Sequence, residues 1–120
     1  MEELTKTEER IMQVFWDLKK AFVKDVIEQL QDDPKPPYNT ISSVVRLLEK
    51  KGYLDHRNYG KTYEYFPTIS KAAYRKVYLK KLLSGYFENS PASLMSFLVR
   101  EEKLSQEEID KLRDIINKSS

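Results

Sequence analysis

The chain has 120 residues, of which 40% are hydrophobic and 33% charged, and its formal net charge is +2. This length suits one domain or a small domain with an appendage, with enough apolar residues for a real core. Cysteine is absent, which excludes disulfides and thiolate metal sites. No segment resembles a signal peptide or approaches the ~20 apolar residues that span a bilayer. We therefore expect a cytoplasmic protein that does not itself bind membranes.

Positive charge is concentrated in two parts of the chain. Between residues 34 and 63, six basic side chains accompany two acidic ones, and between residues 71 and 87 five basic side chains accompany none. The stretches before and after these two blocks are net acidic. This distribution gives the surface a basic side that suits a negatively charged partner, although ordinary solvated helix faces produce a similar pattern.

Three helices are predicted in the first half of the chain. The first begins at the capping box Thr5-x-x-Glu8, and the second is short. Three prolines between residues 34 and 37 then interrupt helicity, because proline lacks an N–H and clashes with the preceding turn. The third helix occupies most of the stretch YNTISSVVRLLEKKGYLDH, residues 38–56, and ends at Gly52.

The third helix has two faces of different chemistry. Apolar residues recur at i, i+3, i+4 and i+7, the pattern of one buried side; these are Ile41, Val44, Val45 and Leu48. At about 100° per residue, a polar stripe falls opposite them; it consists of Asn39, Ser43, Arg46 and Lys50, with Thr40 and Ser42 at its flanks. A merely solvated face would more typically carry Glu and Lys pairs. The composition favours contact with DNA bases and phosphates.

A β-hairpin is predicted after the third helix. Residues 53–57 and 62–66 are rich in aromatic and β-branched side chains, and the tetrapeptide Asn58-Tyr59-Gly60-Lys61 lies between them. Three helices followed by a hairpin is the order of a winged helix-turn-helix, whose third helix enters the major groove beside the wing.

We therefore predict a mainly α fold with a small β-hairpin wing. A winged helix-turn-helix DNA-binding domain is expected over residues 1–68 and a helical dimerisation domain over residues 69–120. The predicted base-reading residues are Asn39, Thr40, Ser42, Ser43 and Arg46. The predicted contacts to phosphate, from the helix region and the wing, are Lys35, Tyr38, Lys50, Lys51, Arg57, Tyr59 and Lys61.

The second domain is predicted to form a homodimer. Its three amphipathic helices have little core of their own, so packing against a second copy would bury their apolar stripes. The predicted dimerisation residues are Tyr74, Tyr78, Leu82, Leu94, Phe97, Leu98, Ile109, Leu112 and Ile116. The alternative is a monomer in which these helices pack on the winged domain.

Two other classes of function are open at this stage. An enzyme has little support, since the chain has one histidine, three glycines and no phosphate-binding loop. We predict no catalytic residue, no cofactor and no metal site, and a structural or phosphate-contact role for His56. A winged-helix module that binds protein instead of DNA is the stronger alternative.

The stretch YNTISSVVRLLEKKGYLDH resembles the recognition-helix region of the penicillinase-repressor family, the BlaI/MecI-type repressors. The resemblance extends to LTKTEERIMQVFW, KTYEYFP and SLMSFLVREEKLSQEEIDKL, and so over nearly the whole chain. It implies a homodimeric winged-helix repressor on a palindromic double-stranded DNA operator. It also implies inactivation by proteolysis in the dimerisation region, triggered by a membrane sensor metalloprotease.

The sequence departs from the family pattern at two places. The family has arginine at the position of Leu47, whereas this chain has Arg46 one residue earlier. Well-known members are cleaved at Asn-Phe, and the matching pair here is Ser96-Phe97. The absence of cysteine excludes the copper-responsive branch, which carries a C-terminal cysteine motif.

Overall fold

The computed structural model describes residues 3–102 and 105–119, and it confirms the predicted order of elements. That order is α1 Lys6–Leu18, α2 Val23–Gln29, α3 Tyr38–Lys50, β1 Leu54–Tyr59, β2 Thr62–Pro67, α4 Lys71–Tyr86, α5 Pro91–Glu102 and α6 Gln106–Ser119. The chain divides into two compact units after Tyr74. None of the described helices combines the length and apolar composition needed to cross a lipid bilayer.

The first helix begins as the capping box predicts. The Thr5 hydroxyl accepts a hydrogen bond from the Glu8 N–H (3.2 Å), and the Glu8 carboxylate accepts one from the Thr5 N–H (2.8 Å). Two backbone donors that the helix leaves unpaired are thereby satisfied. The second predicted capping box, Ser105 with Glu108, forms in the same way at the start of α6.

The core of the first unit is built from one face of each helix and the base of the hairpin. Helix α3 contributes Ile41, Val45 and Leu48, each at most 4% exposed. They pack with Phe15 of α1 and Val26 of α2, which are fully buried. Because the buried stripe lies on one side of α3, the opposite side of this helix faces outward.

The hairpin turn is shorter than the sequence suggested. The strands pair from Leu54 with Pro67 to Tyr59 with Thr62, so the turn consists of Gly60 and Lys61 instead of four residues. Gly60 has φ +60°, whereas Lys61 is not among the residues with positive φ. Glycine at the first position of a two-residue turn is typical of type II′, which follows the natural twist of paired strands.

A short strand segment between α1 and α2 was not predicted. Ala21 pairs with Tyr65 of β2 through two backbone hydrogen bonds, each 2.9 Å long. Both side chains are buried, and the Tyr65 ring meets that of Phe15 edge-on at 6.5 Å. A single bridging residue has no alternating pattern, so nothing in the sequence distinguished it from a loop.

The first turn of α4 belongs to the core of the first unit. Tyr74 is buried, and its ring lies 5.5 Å from that of Trp16 and 5.8 Å from that of Tyr53. The Trp16 indole donates a hydrogen bond to the Ile69 carbonyl (2.9 Å). Burial raises the pKa of Tyr74 to about 12. Tyr74 was predicted to lie at a dimer interface, but this position buries it within one chain.

The second unit consists of the rest of α4 together with α5 and α6. Helices α5 and α6 pack on one another, and the rings of Phe87 and Phe97 meet edge-on at 5.7 Å. Large apolar side chains nevertheless remain exposed in this unit, among them Tyr86 at 81% and Val99 at 39%.

A buried ion pair joins α1 to the end of α3. The Lys51 ammonium lies 2.9 Å from both carboxylate oxygens of Glu8, whose side chain is 4% exposed. Burial opposes ionisation of Glu8, but the hydrogen bonds from Thr5 and Lys51 outweigh it and hold the pKa of Glu8 below its ordinary value of 4.5. The pair therefore stabilises the fold above about pH 4.5 and loses that contribution as the pH falls through the lowered pKa.

Lys51→Met should lower the free energy of unfolding by about 2 kcal/mol at pH 7, because it leaves a buried carboxylate without its cation. Denaturant titrations between pH 7 and pH 3 measure this. The difference from the wild type should shrink as the pH falls and Glu8 takes up a proton in both proteins.

The matched control is Lys111→Met, which removes the exposed partner of Glu107 in α6, 3.4 Å away. It should change the free energy of unfolding by less than about 0.5 kcal/mol. A loss for Lys51→Met that does not vary with pH would show that packing of the lysine stem, and not the charge pair, is responsible.

Candidate nucleic-acid interface

The exposed face of α3 contains most of the residues predicted to read bases. Asn39, Thr40, Ser43 and Arg46 are all exposed, and Lys50 follows them on the same side. Glu49 is half-buried and paired with His56. The exposed face of α3 therefore combines short hydrogen-bonding side chains with two cations, and none of its described exposed residues is acidic.

Ser42 occupies a different position from the other predicted base readers. It is 9% exposed, and its hydroxyl accepts a hydrogen bond from the Arg46 guanidinium (3.2 Å). A buried hydroxyl cannot reach a base edge, so direct readout by Ser42 is incompatible with this arrangement. Its contact instead orients Arg46, which lies four residues further along the helix.

Two lysines predicted to contact phosphate have partners within the fold. Lys51 is paired with Glu8, as described above. The Lys35 ammonium donates hydrogen bonds to the carbonyls of Glu28 (3.2 Å) and Leu30. These carbonyls lie at the end of α2, where helical backbone lacks donors and a cation is favourable. Both lysines therefore have structural roles that their charge alone did not reveal.

The wing presents the other predicted cations. Arg57, Tyr59 and Lys61 are exposed at and near the Gly60 turn. The Tyr59 ring packs edge-on against Phe22 at 5.8 Å, and the Arg57 guanidinium lies 5.9 Å from the centre of the Phe66 ring. These ring contacts hold the stems while the polar ends remain at the surface.

Tyr38 lies beside a cleft between the starts of α2 and α3 and the second wing strand. It is 56% exposed, so its hydroxyl is available to a partner. The cleft has a volume of about 250 Å³. Its lining residues are Phe22, Val23, Lys24, Tyr38, Thr62 and Tyr63.

A polar cluster connects α3 to the first wing strand. The His56 Nδ1 is paired with the Glu49 carboxylate, and Asp55 accepts a hydrogen bond from the His56 N–H (2.8 Å). The His56 ring stacks on Tyr63 at 4.2 Å. One ligand atom from each of Glu49, Asp55 and His56 lies within 4.8 Å of the others, a spacing at which a divalent cation could bind. The sequence did not reveal this cluster, because seven residues separate Glu49 from His56.

Tyr65 shows how close the charges of α3 lie to the wing. Burial raises the pKa of the Tyr65 phenol, the nearby Glu49 carboxylate raises it further, and the Arg46 guanidinium partly opposes both. Arg46 and Glu49 therefore lie near the second wing strand, so α3 and the hairpin form one continuous surface.

The residues predicted for dimerisation lie in different environments in the second unit. Leu94 is buried, whereas Leu82, Leu98, Ile109 and Leu112 are half-buried. Tyr78 is 46% exposed and Phe97 43% exposed. The side chain of Ile116 lies outside the described residues. The predicted cleavage pair, Ser96 and Phe97, lies inside helix α5, with both residues exposed.

Comparison with known proteins agrees with the sequence resemblance over almost the full chain. The family described as the penicillinase repressor matches residues 4–118. The methicillin resistance regulatory protein MecI of Staphylococcus aureus is 28% identical over 116 residues, which cover 97% of this chain and 94% of MecI. The penicillinase repressor of Bacillus licheniformis is 26% identical over 114 residues, covering 95% of this chain and 89% of that protein.

Solved structures agree with the fold. The solution structure of the DNA-binding domain of the repressor BlaI has a TM-score of 0.52 and 28% identity, and it covers 60% of this chain and 88% of that domain. The complex structure of hsRosR-S4 has a TM-score of 0.55 at 16% identity, covering 84% of this chain and 90% of that one, and so agrees in fold alone. The family match extends over both units, and the chain belongs to the penicillinase repressor family.

Proposed function

We propose that this chain is a sequence-specific, DNA-binding transcriptional repressor that acts as a homodimer on a palindromic operator. The observation that carries the proposal is the exposed face of α3, with Asn39, Thr40, Ser43, Arg46 and Lys50 beside a basic wing. Family membership supports it, as does the likeness to a protein whose title names it a repressor with a DNA-binding domain.

In this mechanism α3 enters the major groove. Asn39 at its start and Arg46 at its middle have the donors and acceptors that pair bidentately with adenine and guanine. Lys50, in the last turn, contacts phosphate, and Arg57 and Lys61 of the wing contact the neighbouring backbone. Ser42 acts indirectly, because its hydrogen bond with Arg46 reduces the number of orientations that the guanidinium explores before binding.

Dimerisation is proposed to use the second unit. Phe97 and Tyr86 leave large apolar surfaces exposed there, and such surfaces typically mark contacts with another protein. A two-fold dimer presents two copies of α3 to half-sites one helical repeat apart, which explains why the operator would be a palindrome.

Inactivation is proposed to occur by cleavage between Ser96 and Phe97, triggered by a membrane sensor metalloprotease. The support is the family resemblance together with the exposure of both residues. Because the bond lies within helical backbone, this part of α5 must unwind before a protease can hold it in an extended form.

Gel-shift titrations of wild type, Arg46→Ala and Lys50→Ala test the DNA-binding role. Duplexes selected from a random pool should bind better than scrambled ones. Arg46→Ala should weaken binding to the selected duplex by ~1–3 kcal/mol per half-site and relax its sequence preference. Lys50→Ala should weaken all duplexes alike, and the salt dependence should fall by about one unit of log–log slope per lost phosphate contact.

Lys111→Ala, an exposed lysine of α6, provides the control and should bind like the wild type. Selection of no preferred duplex at low salt would contradict the repressor assignment. Equal losses on selected and scrambled DNA for Arg46→Ala would show that this residue contacts backbone alone.

Sedimentation equilibrium tests the dimer. The wild type should sediment as a dimer, and Phe97→Ser should raise the dimer dissociation constant at least about tenfold by removing an apolar contact of roughly 1.4 kcal/mol or more. Leu18→Ser changes a comparably exposed residue of α1, 37% against 43%, and should leave association unchanged. A wild-type monomer at micromolar concentration would contradict the proposal.

Mass spectrometry of the repressor from induced cells tests the cleavage site. The expected product is an N-terminal fragment that ends at Ser96, and Phe97→Pro should abolish it because proline after the scissile bond blocks most proteases. An intact chain under conditions that relieve repression would exclude proteolysis as the switch.

A further inference from the structure

One large apolar side chain interrupts the exposed polar face of α3. Leu47 is 44% exposed, whereas Ile41, Val45 and Leu48 of the same helix are at most 4% exposed. The apolar pattern of this helix is therefore complete without Leu47, and the fold does not need this leucine for its core. A single exposed leucine is common in proteins, so exposure alone assigns it no role.

The neighbours of Leu47 give its exposure a meaning. At about 100° per residue, Leu47 lies within roughly 40° of Ser43 and 20° of Thr40 around the helix axis. Both neighbours are exposed, and Lys50 continues the same row. Leu47 thus lies among the side chains proposed to enter the major groove, on the side of the face away from Arg46 and the wing.

The major groove offers such a residue one kind of apolar partner. Among the four bases, thymine presents a 5-methyl group there, while the other exposed groups are hydrogen-bond donors and acceptors. A leucine facing those polar groups would leave them without partners, which costs binding energy. A leucine facing a thymine methyl removes two apolar surfaces from water at once.

We propose that Leu47 is a specificity-determining residue that contacts the 5-methyl group of a thymine close to the base pair read by Arg46. This inference rests on the proposed function and deepens it, because it predicts part of the operator. Each half-site should contain a thymine whose methyl group, and not only its base pairing, contributes to affinity.

A thymine-to-uracil scan tests the inference. Deoxyuridine pairs with adenine as thymine does but lacks the 5-methyl group, so each substitution removes one methyl and no hydrogen bond. In the selected duplex, one such position per half-site should weaken wild-type binding about fourfold, the effect of losing one buried methyl. Leu47→Ala should bind the thymine and uracil duplexes with nearly equal affinity.

Two further variants keep this result specific. Leu18→Ala makes the same change at an exposed leucine of α1, 37% exposed, and should keep the full preference for thymine. Leu47→Met retains an apolar side chain and should keep most of that preference, even if Leu47→Ala binds too weakly to measure.

The outcomes distinguish this inference from the function on which it rests. A preferred duplex with no methyl-sensitive position would overturn the Leu47 assignment and leave the repressor role intact. A methyl preference that persists unchanged in Leu47→Ala would do the same. Selection of no preferred duplex would overturn both.

Discussion

Burial of one stripe of α3 is the constraint on which the rest of the first unit depends. Ile41, Val45 and Leu48 are almost completely removed from water, so the helix cannot rotate without exposing them. Since positions on a helix are related by a fixed angle, this packing also fixes the direction of Asn39 and Arg46 on the opposite side. The buried half of α3 therefore determines what the exposed half can contact.

Polar contacts at both ends of α3 complete this arrangement. Lys51 joins the end of the helix to Glu8 of α1, and Glu49 joins it to His56 of the wing. The wing is in turn held by the Ala21 bridge to β2. A sequence reader and its wing thus form one rigid surface, and rigid placement lowers the entropy lost when a surface binds DNA.

The sequence predicted the elements well because their signals are local. The capping box at Thr5, the apolar repeat of α3 and the glycine of the hairpin all lie within a few residues of what they control. Contacts between distant residues were beyond its reach. The Lys51–Glu8 pair spans 43 residues, and Lys35 and Lys51 looked like DNA contacts because sequence shows their charge without their partners. The burial of Ser42 depends on the neighbours of α3, so wheel geometry alone left it on a flank.

The central claim is that the outer face of α3, together with the wing, is the surface that meets DNA. An NMR titration of the ¹⁵N-labelled protein with its selected operator duplex tests it most directly. We predict that the largest amide shift changes fall within residues 38–50 and around the Gly60 turn, while those of α6 stay small. Large changes confined to α4–α6, with α3 unperturbed, would contradict the account.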